Sequence, residues 1–292
     1  MGNNILIVGC GSIGLRLAMS LKDQHKVYGL KRNAEGLPAD ITGISADVTR
    51  PSSLRGKLPN KLDYIVYCLT ASEFNDKTYQ EIYVNGLKNL ISEINHSSLS
   101  PKRLFFVSSS SVYPQDDDQW VNEETPVTPT RFSGQRLLEA EQLALSCKFP
   151  ASNIRFSGIY GGSRTRLLEQ VRSGKANSES PAYTNRVHED DCVLILKHLI
   201  EKDVNAEVLE DCYLASDSEP VQMNELIAWI GKQIERSITP KEESKTIGGK
   251  KRSAGSKRCC NKRLLDSGYQ FKYPSFREGY GEMIKRIYTQ PL

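Results

Sequence analysis

The stretch Ile-Leu-Ile-Val-Gly-Cys-Gly-Ser-Ile-Gly at residues 5–14 decides the fold of this 292-residue chain. Its first four residues form a continuous apolar run, as expected for a strand buried in a parallel sheet. Gly9, Gly11 and Gly14 follow at the spacing G-x-G-x-x-G, where an amphipathic helix is predicted to begin. A strand, a glycine turn and a helix in this order make the spacing specific, so it predicts a dinucleotide-binding turn.

Each glycine of this turn has its own physical task. Gly9 permits the tight turn, Gly11 lets the backbone approach a pyrophosphate, and Gly14 allows close packing of helix on strand. Ser12 and Ile13 open the helix, whose N-terminal amides attract phosphate charge. The alternative is a plain strand-to-helix turn without a ligand, which the complete match of context disfavours.

The end of the second predicted strand distinguishes between the two nicotinamide dinucleotides. An NAD-binding protein usually carries Asp or Glu there, to bond the ribose hydroxyls. Here Lys31 and Arg32 occupy this position, and cations suit a 2′-phosphate. The sequence therefore favours NADP(H) over NAD(H) as cofactor. The alternative is that the two cations form a solvated loop.

Strands and helices continue to alternate, which predicts a parallel sheet with helices on both faces. The predicted fold class is α/β, a Rossmann-type doubly wound parallel sheet with a smaller, discontinuous C-terminal substrate region. We predict a dinucleotide-binding domain at 1–156 plus 186–215 and a substrate-binding or lid region at 157–185 plus 216–292. Further strands are predicted at 27–30, 44–48, 64–69, 104–107, 153–156 and 212–214, and helices at 79–94, 134–147, 190–200 and 223–234.

Composition excludes several classes of protein. No apolar stretch reaches the roughly 20 residues that span a bilayer, and the N-terminus lacks a signal-peptide pattern, so a cytoplasmic protein without membrane contact is expected. The seven cysteines include no C-x-x-C pair, which argues against a metal site. The adjacent Cys259 and Cys260 lack metal-site spacing, so a redox or metal role there is the weaker alternative.

Residues 241–263 concentrate positive charge in a chain whose net charge is only +4. Three interpretations stay open: a nucleic-acid contact, a lid over an anionic substrate, and a solvated loop. The segment lacks aromatic residues that stack on bases, which argues against nucleic acid as a partner. Its composition, rich in glycine and serine, favours the solvated loop.

Six further motifs resemble those of the extended short-chain dehydrogenases/reductases, the NAD-dependent epimerase/dehydratase superfamily. The likeness extends over nearly the whole chain. Within the superfamily the chain looks most like an atypical, YeeZ-like subgroup, whose C-terminal signature is echoed by SDSEPVQMNEL and YPSFREGY. The motifs stand at 46–49, 69–71, 83–86, 107–113, 155–161 and 185–191.

The resemblance assigns cofactor contacts to individual positions. It implies that Asp47 and Val48 hold the adenine ring, and that Leu69, Thr70 and Ala71 line the cofactor. It also implies a small-molecule substrate, which the analogy with sites for sugar nucleotides makes anionic.

On the substrate side, the resemblance points to the end of the fifth strand, where Ser109 would hold the substrate oxygen beside Ser110. It further implies a buried Asn85 and a homodimer formed through helices 79–94 and 134–147, with simple core burial of these helices as the alternative. The remaining substrate contacts that it implies are Tyr160, Arg164, Arg186 and His188.

The family's proton relay, a Tyr and a Lys in Y-x-x-x-K, is missing here. Alignment on residues 138–141 puts Ser133 in the Tyr position and Leu137 in the Lys position. No shift of register restores the pair, because the residues between Tyr113 and Tyr160 include no tyrosine and a single lysine, Lys148. The family's catalytic triad is a Ser or Thr, this Tyr and this Lys, and here only the serine remains, as Ser109.

Carbonyl reduction needs a proton source as well as a hydride, and three side chains are candidates: Tyr113, Glu123 and Glu124. A structural or surface role is the alternative for each of them, and likewise for His188.

Two functions follow from these observations. The first is an NADP(H)-dependent oxidoreductase or epimerase/dehydratase-type enzyme, acting on a small or nucleotide-linked substrate with a non-standard active site. The second is a non-catalytic NADP(H)-binding module that senses redox state or regulates a partner. The retained Ser109 and the extensive C-terminal part favour the enzyme, and the loss of the Tyr–Lys pair favours the sensor.

Overall fold

The computed structural model describes residues 2–237 and 255–288 of the chain. Residues 241–254 of the basic segment lie outside the described residues, so the three interpretations of that segment stay predictions. The chain clusters into two compact units. The first comprises Met1–Tyr113, Pro126–Phe156 and Val193–Tyr213, and the second comprises Pro114–Thr125, Ser157–Cys192 and Leu214–Leu292. This grouping puts 114–125 and 186–192 in the second unit, whereas the sequence predicts that they belong to the dinucleotide-binding domain. The predicted domain boundaries stay a prediction.

Thirteen strands occur in the described part of the chain. They are β1 (Asn4–Val8), β2 (Lys26–Lys31), β3 (Thr42–Ser45), β4 (Tyr64–Tyr67), β5 (Arg103–Ser109), β6 (Gln119–Val121), β7 (Ala151–Phe156), β8 (Gly158–Tyr160), β9 (Tyr183–Thr184), β10 (Arg186–His188), β11 (Cys212–Ala215), β12 (Val221–Gln222) and β13 (Lys257–Cys259).

Seven of these strands form one parallel sheet in the order β11-β7-β5-β4-β1-β2-β3. The central strand β1 pairs with β2 on one side and β4 on the other, and its residues Ile5–Val8 are fully buried. Burial of both faces is what a continuous apolar run predicts for a parallel strand. The α/β, Rossmann-type fold class is therefore confirmed, with the smaller sheets lying in the C-terminal part.

Ten α-helices accompany the strands in the described residues: α1 (Ser12–Leu21), α2 (Pro51–Leu54), α3 (Asp76–Tyr79), α4 (Gly86–His96), α5 (Phe132–Leu145), α6 (Arg166–Arg172), α7 (Glu189–Val204), α8 (Met223–Ser237), α9 (Lys262–Asp266) and α10 (Phe276–Tyr288). A π-helical turn, Gln80–Asn85, separates α3 from α4, and a 3-10 turn, Ser110–Val112, follows β5.

Two of the differences between the predicted and the observed elements have a clear physical reason. The strand predicted at 44–48 ends at Ser45, because the Asp47 side chain accepts hydrogen bonds from the amide and hydroxyl of Thr49 and closes a turn. The helix predicted at 79–94 is interrupted by the π turn, since a hydrophobic period of 3.6 residues cannot reveal one inserted residue.

The second unit has its own small sheets and core. In it β8 pairs with β10, β9 with β12, and β6 with β13. The buried carboxylate of Asp191 fixes the segment before α10, accepting from the Tyr269 hydroxyl at 2.6 Å and the Lys272 and Tyr273 amides at 2.8 and 3.0 Å. The core of the second unit contains Tyr160, Leu168, Val221, Leu226, Ile230, Phe276 and Tyr280.

In neither described range is any helix long and apolar enough to cross a membrane.

Candidate functional site

The glycine turn after β1 has the geometry that its spacing predicts. Gly9 has a φ of 104°, and a β-carbon on it would lie 2.4 Å from the Cys68 carbonyl oxygen. A β-carbon on Gly14 would lie 2.1 Å from the Gly9 carbonyl oxygen. At Gly11, in contrast, no described atom stands within 4 Å of that position. Two glycines are thus required by the protein's own packing, and the third faces open space.

That open space belongs to a cavity of about 830 Å³ in the first unit. Eight of the twelve predicted cofactor contacts line it: Gly9, Gly11, Lys31, Arg32, Asp47, Val48, Leu69 and Thr70. The other four are not among its lining residues. Ser12 begins α1, Ile13 and Gly14 are buried beneath the turn, and the Ala71 amide points to the Tyr83 hydroxyl.

Sequence reasoning missed part of the cavity wall. Thr78, Glu81 and Ile82 line it from α3 and the π turn, and Ser72 extends the loop after β4. Helical positions such as these carry no local signal, because their place on the wall depends on how the helix packs beside the sheet. Cys10, between the first two glycines of the turn, also lines the cavity.

The charges around the cavity are unevenly placed. Lys31 ends β2, Arg32 follows it, and both line the cavity at the position where Rossmann folds bind the adenosine end of a dinucleotide. Burial raises the pKa of the Cys10 thiol to about 11, although Lys31 opposes this shift. Cys10 therefore stays a neutral thiol at physiological pH and lines the cavity as a small apolar group.

The described residues fit a dinucleotide. Gly11 caps the N-terminus of the ten-residue helix α1 and has no side chain to bond the first amides of that helix. Those amides and the open space above Gly11 form the cradle that a pyrophosphate fills in this fold. The fit rests on the glycine geometry, the cavity and the cations together.

The predicted catalytic residues lie at the end of β5. The Ser109 side chain is half-buried, and its hydroxyl accepts from the Ser111 amide at 3.2 Å, while Ser110 opens the 3-10 turn. Tyr113 is buried, and its hydroxyl accepts from Arg155 at 2.8 Å. This contact gives Tyr113 a structural partner, and its catalytic role stays a prediction.

Tyr113 belongs to a buried network that ties α5 to the sheet. Arg155 of β7 forms a double hydrogen bond with Glu141 of α5, with an Nη2–Oε2 distance of 2.6 Å and an Nε–Oε1 distance of 3.0 Å. Ser108 donates to the same carboxylate at 2.5 Å. Burial acts to lower the pKa of the Arg155 guanidinium, but the hydrogen bonds and charge of Glu141 outweigh it and raise that pKa, so Arg155 keeps its charge.

The positions of the missing Tyr–Lys pair are filled by buried residues. Ser133 is 7% exposed and Leu137 is 5% exposed, both on α5. Gly134 between them packs tightly, since a β-carbon there would lie 2.5 Å from the Ser111 carbonyl oxygen. The first turn of α5 is therefore held against the end of β5 by packing, and it offers the site neither a phenol nor an ammonium group.

The predicted substrate contacts Tyr160, Arg164, Arg186 and His188 all belong to the second unit. Tyr160 is buried and stacks on Tyr280, with ring centroids 4.4 Å apart. Arg164 forms an ion pair with Glu189.

His188 is buried, and its Nδ1 accepts from the Asp190 amide at 3.1 Å. Burial is the main reason that the His188 pKa is lowered, so the imidazole is held neutral. Tyr160, Arg164 and His188 thus each have a partner within the second unit. Their roles as substrate contacts stay predictions.

Arg186 differs from the other three. Its Nε atom is buried and has no hydrogen-bond partner among the described residues, and the same holds for Oδ2 of the fully buried Asp217. Burial raises the pKa of the Asp217 carboxyl, and the Arg186 charge acts against that shift. Sequence reasoning selected Arg186 but did not single out Asp217, although it lies in the segment SDSEPVQMNEL after β11.

The two acidic candidates have partners within the second unit. Glu123 accepts from the Leu214 amide at 2.7 Å, and Glu124 pairs with Arg263. Cys259 and Cys260 are free cysteines, and no group of side chains in the described ranges could hold a metal ion.

Comparison with known proteins agrees with this geometry. A protein from Methylobacillus flagellatus, provisionally described as an NAD-dependent epimerase/dehydratase, is 36% identical, with 98% of this chain and 99% of that one covered and a TM-score of 0.82. The UDP-glucose 4-epimerase of Thermotoga maritima, solved with UDP-glucose, is 14% identical over 97% of both chains, with a TM-score of 0.76. The UDP-glucuronic acid 4-epimerase of Bacillus cereus, solved with NAD, is 18% identical over 98% of both chains, with a TM-score of 0.74.

The last two likenesses show the fold alone. No curated protein matches the sequence. The model of the NAD dependent epimerase/dehydratase family matches residues 5–203, about two thirds of the chain. With that match and the 36% identity above, the chain belongs to the NAD-dependent epimerase/dehydratase family of extended short-chain dehydrogenases/reductases.

Proposed function

We propose that this chain is an NADP(H)-dependent enzyme of the oxidoreductase or epimerase/dehydratase type, acting on a small or nucleotide-linked substrate. The observation that carries the proposal is the cavity of the first unit. It combines the open space above Gly11 with the two cations Lys31 and Arg32. A bound dinucleotide supplies or accepts a hydride at its nicotinamide ring, and the chain's own residues bind and orient it.

The choice of NADP(H) rests on charge at the end of β2. Lys31 and Arg32 both line the cavity, at the position where a carboxylate would bond the ribose hydroxyls of NAD. Cations there attract a 2′-phosphate, whereas a carboxylate would repel it.

Replacing both Lys31 and Arg32 by alanine tests this choice. We expect the affinity for NADPH to fall by about tenfold or more, because charge-assisted hydrogen bonds are worth roughly 1.5–3 kcal/mol. The affinity for NADH should change by less than about twofold. Both dissociation constants are measured by NADPH or NADH fluorescence. Lys26→Ala, at the opposite end of the same strand, removes a charge remote from the cavity and is the control. If the ratio of the NADPH and NADH affinities is unchanged in the double variant, the two cations belong to a solvated loop and do not contact the 2′-phosphate.

An anionic substrate is supported by the second unit. The guanidinium of Arg186 and the carboxyl group of Asp217 both carry buried polar atoms without partners in the described part of the chain. A guanidinium binds phosphate or carboxylate groups, and a carboxyl group can form hydrogen bonds with sugar hydroxyls. Sugar nucleotides combine these groups, and the similar folds of the two UDP-sugar epimerases suggest this class by analogy alone.

Ser109 is the side chain that we propose for the chemistry. Its half-buried hydroxyl stands at the carboxyl end of β5, the edge of a parallel sheet where ligands bind. In this role it would donate a hydrogen bond to the substrate oxygen and orient the reacting carbon. We attribute a structural role to Tyr113, because Arg155 holds its hydroxyl in a buried network.

One experiment separates the enzyme from the alternative, a redox-sensing or regulatory module. The purified protein is mixed with NADPH and with panels of carbonyl compounds and UDP-sugars, and absorbance at the reduced nicotinamide band and product formation are followed. We expect turnover that Ser109→Ala lowers by about 100-fold, within the range for a lost donor to a developing oxyanion. Ser111→Ala, which removes an exposed hydroxyl in the same turn, is the control and should keep activity. Stoichiometric NADPH binding without turnover on any panel would favour the sensor.

The features of a sensor are also present. Ser133 and Leu137 are buried in the positions where relatives keep Tyr and Lys, so the usual relay is absent. We also propose membership of the YeeZ-like subgroup and a homodimer through helices 79–94 and 134–147. The exposure of the Phe74 ring, which contacts Tyr79 and Phe132, supports that pairing.

A further inference from the structure

The π turn at Gln80–Asn85 changes which side chain faces the sheet. The hydroxyl of the buried Tyr67 donates to the Ile82 carbonyl, and Gly86 packs against that same hydroxyl. Single π turns inserted in α-helices are frequent at functional sites, because the extra residue re-aims its neighbours. Here Tyr83 points inward and is 8% exposed, whereas Asn85, implied to be buried by the family resemblance, is exposed.

The Tyr83 hydroxyl contacts the loop after β4, which forms part of the wall of the dinucleotide cavity. It accepts from the Ala71 amide at 3.4 Å, and Ala71 stands between Thr70 and Ser72, which both line the cavity. Ile82, next to Tyr83 in the chain, lines it as well. Within 2–237 and 255–288, no acceptor for the hydroxyl's own proton is found within hydrogen-bonding distance. Burial raises the Tyr83 pKa to about 12, so the group keeps that proton at physiological pH.

Sheet order indicates which half of a dinucleotide would meet this hydroxyl. The pyrophosphate cradle follows β1, the cations follow β2, and the Asp47–Val48 pair follows β3. The adenosine half therefore lies on the β2 side of β1. A dinucleotide bound along the carboxyl ends of the strands must extend its nicotinamide half to the other side, over β4 and β5. Tyr83 meets the loop that follows β4.

The nicotinamide half has lost its usual partners on α5. Leu137 has no polar group, and Ser133 is buried. The aromatic rings from Tyr83 to Phe132 form a continuous chain, with Tyr83 and Tyr79 centroids 5.1 Å apart and Tyr79 and Phe132 centroids 5.4 Å apart. Tyr83 is thus linked through Tyr79 to the residue that precedes Ser133. We infer that the Tyr83 hydroxyl binds the nicotinamide half of the dinucleotide in place of the missing Tyr–Lys pair, an inference that rests on the proposed function.

Two ligands and two variants test this inference by binding alone. Isothermal titration calorimetry measures the dissociation constants of NADP⁺ and of adenosine 2′,5′-bisphosphate, which has the 2′-phosphate but no nicotinamide half. We expect Tyr83→Phe to weaken NADP⁺ binding by about 3- to 10-fold, as the loss of one hydrogen bond predicts, and to leave adenosine 2′,5′-bisphosphate within about twofold. Tyr79→Phe removes a hydroxyl from the same aromatic chain and should change neither constant by more than about twofold.

The outcomes that contradict the inference are distinct from those that contradict the proposed function. An unchanged NADP⁺ constant in Tyr83→Phe, or equal weakening of both ligands, would overturn the inference and leave dinucleotide binding intact. If the wild-type protein binds neither ligand, the proposed function fails and the inference fails with it. Thermal unfolding of Tyr83→Phe, followed by circular dichroism, should stay within a few degrees of wild type. If the melting temperature of Tyr83→Phe falls further, the titrations are repeated well below that temperature.

Discussion

Glu141→Ala lowers the free energy of unfolding by about 3–5 kcal/mol, because it leaves the Arg155 guanidinium buried without its counter-charge. Arg155 loses three of its hydrogen bonds at once, and Ser108 loses its acceptor. The measurement is urea unfolding followed by far-ultraviolet circular dichroism. Tryptophan fluorescence is less suitable, since Trp120 and Trp229 both belong to the second unit.

Two variants make this result specific to the buried pair. Lys262→Ala breaks an ion pair at the surface, where both side chains are more than half exposed, and should leave the free energy of unfolding nearly unchanged. Arg155→Met combined with Glu141→Ala removes both charges and should recover part of the lost stability, since an apolar replacement needs no partner. A change below about 1 kcal/mol in Glu141→Ala would mean that water reaches Arg155.

Gly11→Val is expected to weaken NADP⁺ binding by about 100-fold or more while the melting temperature stays within about 2 °C of wild type. The side chain would enter the space above the glycine turn, where no protein atom of the described chain lies within 4 Å. The protein therefore has no steric reason to unfold, but a pyrophosphate could no longer approach the α1 amides. Calorimetric titration and a thermal melt of the same sample measure the two effects.

Gly14→Val is the matched comparison three residues further on. Its β-carbon would meet the Gly9 carbonyl oxygen at 2.1 Å, so it should lower the melting temperature by several degrees, consistent with the cost of overpacking. Loss of NADP⁺ binding in Gly11→Val and loss of thermal stability in Gly14→Val would show that the first glycine leaves room for the ligand and the second for the packing of helix on strand. Unimpaired NADP⁺ binding by Gly11→Val would mean that the cofactor does not use this turn.

The sequence allowed prediction of those parts of the site that depend on local order. The strand, turn and helix of residues 5–21 are consecutive, so spacing and hydrophobic pattern were enough to predict their geometry. Lys31, Arg32 and Asp47, which line the cavity, were predicted as cofactor contacts as well, because each stands at or just beyond the carboxyl end of a strand of the sheet. In a parallel sheet such positions converge on one edge whatever the remainder of the fold does.

The other parts depend on contacts between distant residues. Arg155 and Glu141 stand 14 positions apart, and Arg155 and Tyr113 stand 42 apart, so the structural role of Tyr113 was not visible in its own neighbourhood. The π turn was hidden for a different reason. An inserted residue leaves the apolar stripe of a helix almost intact while it rotates the face on which Tyr83 lies.

The residues that line the dinucleotide cavity all belong to the first unit, whereas Arg186 and Asp217 belong to the second. Substitutions at sites without shared partners are close to additive in free energy. Under the proposed function, selection could therefore alter residues such as Arg186 for a new substrate while Gly11 and Lys31 keep the affinity for the cofactor constant. The chain would then have a route by which its chemistry diversifies through mutations that are neutral for cofactor binding.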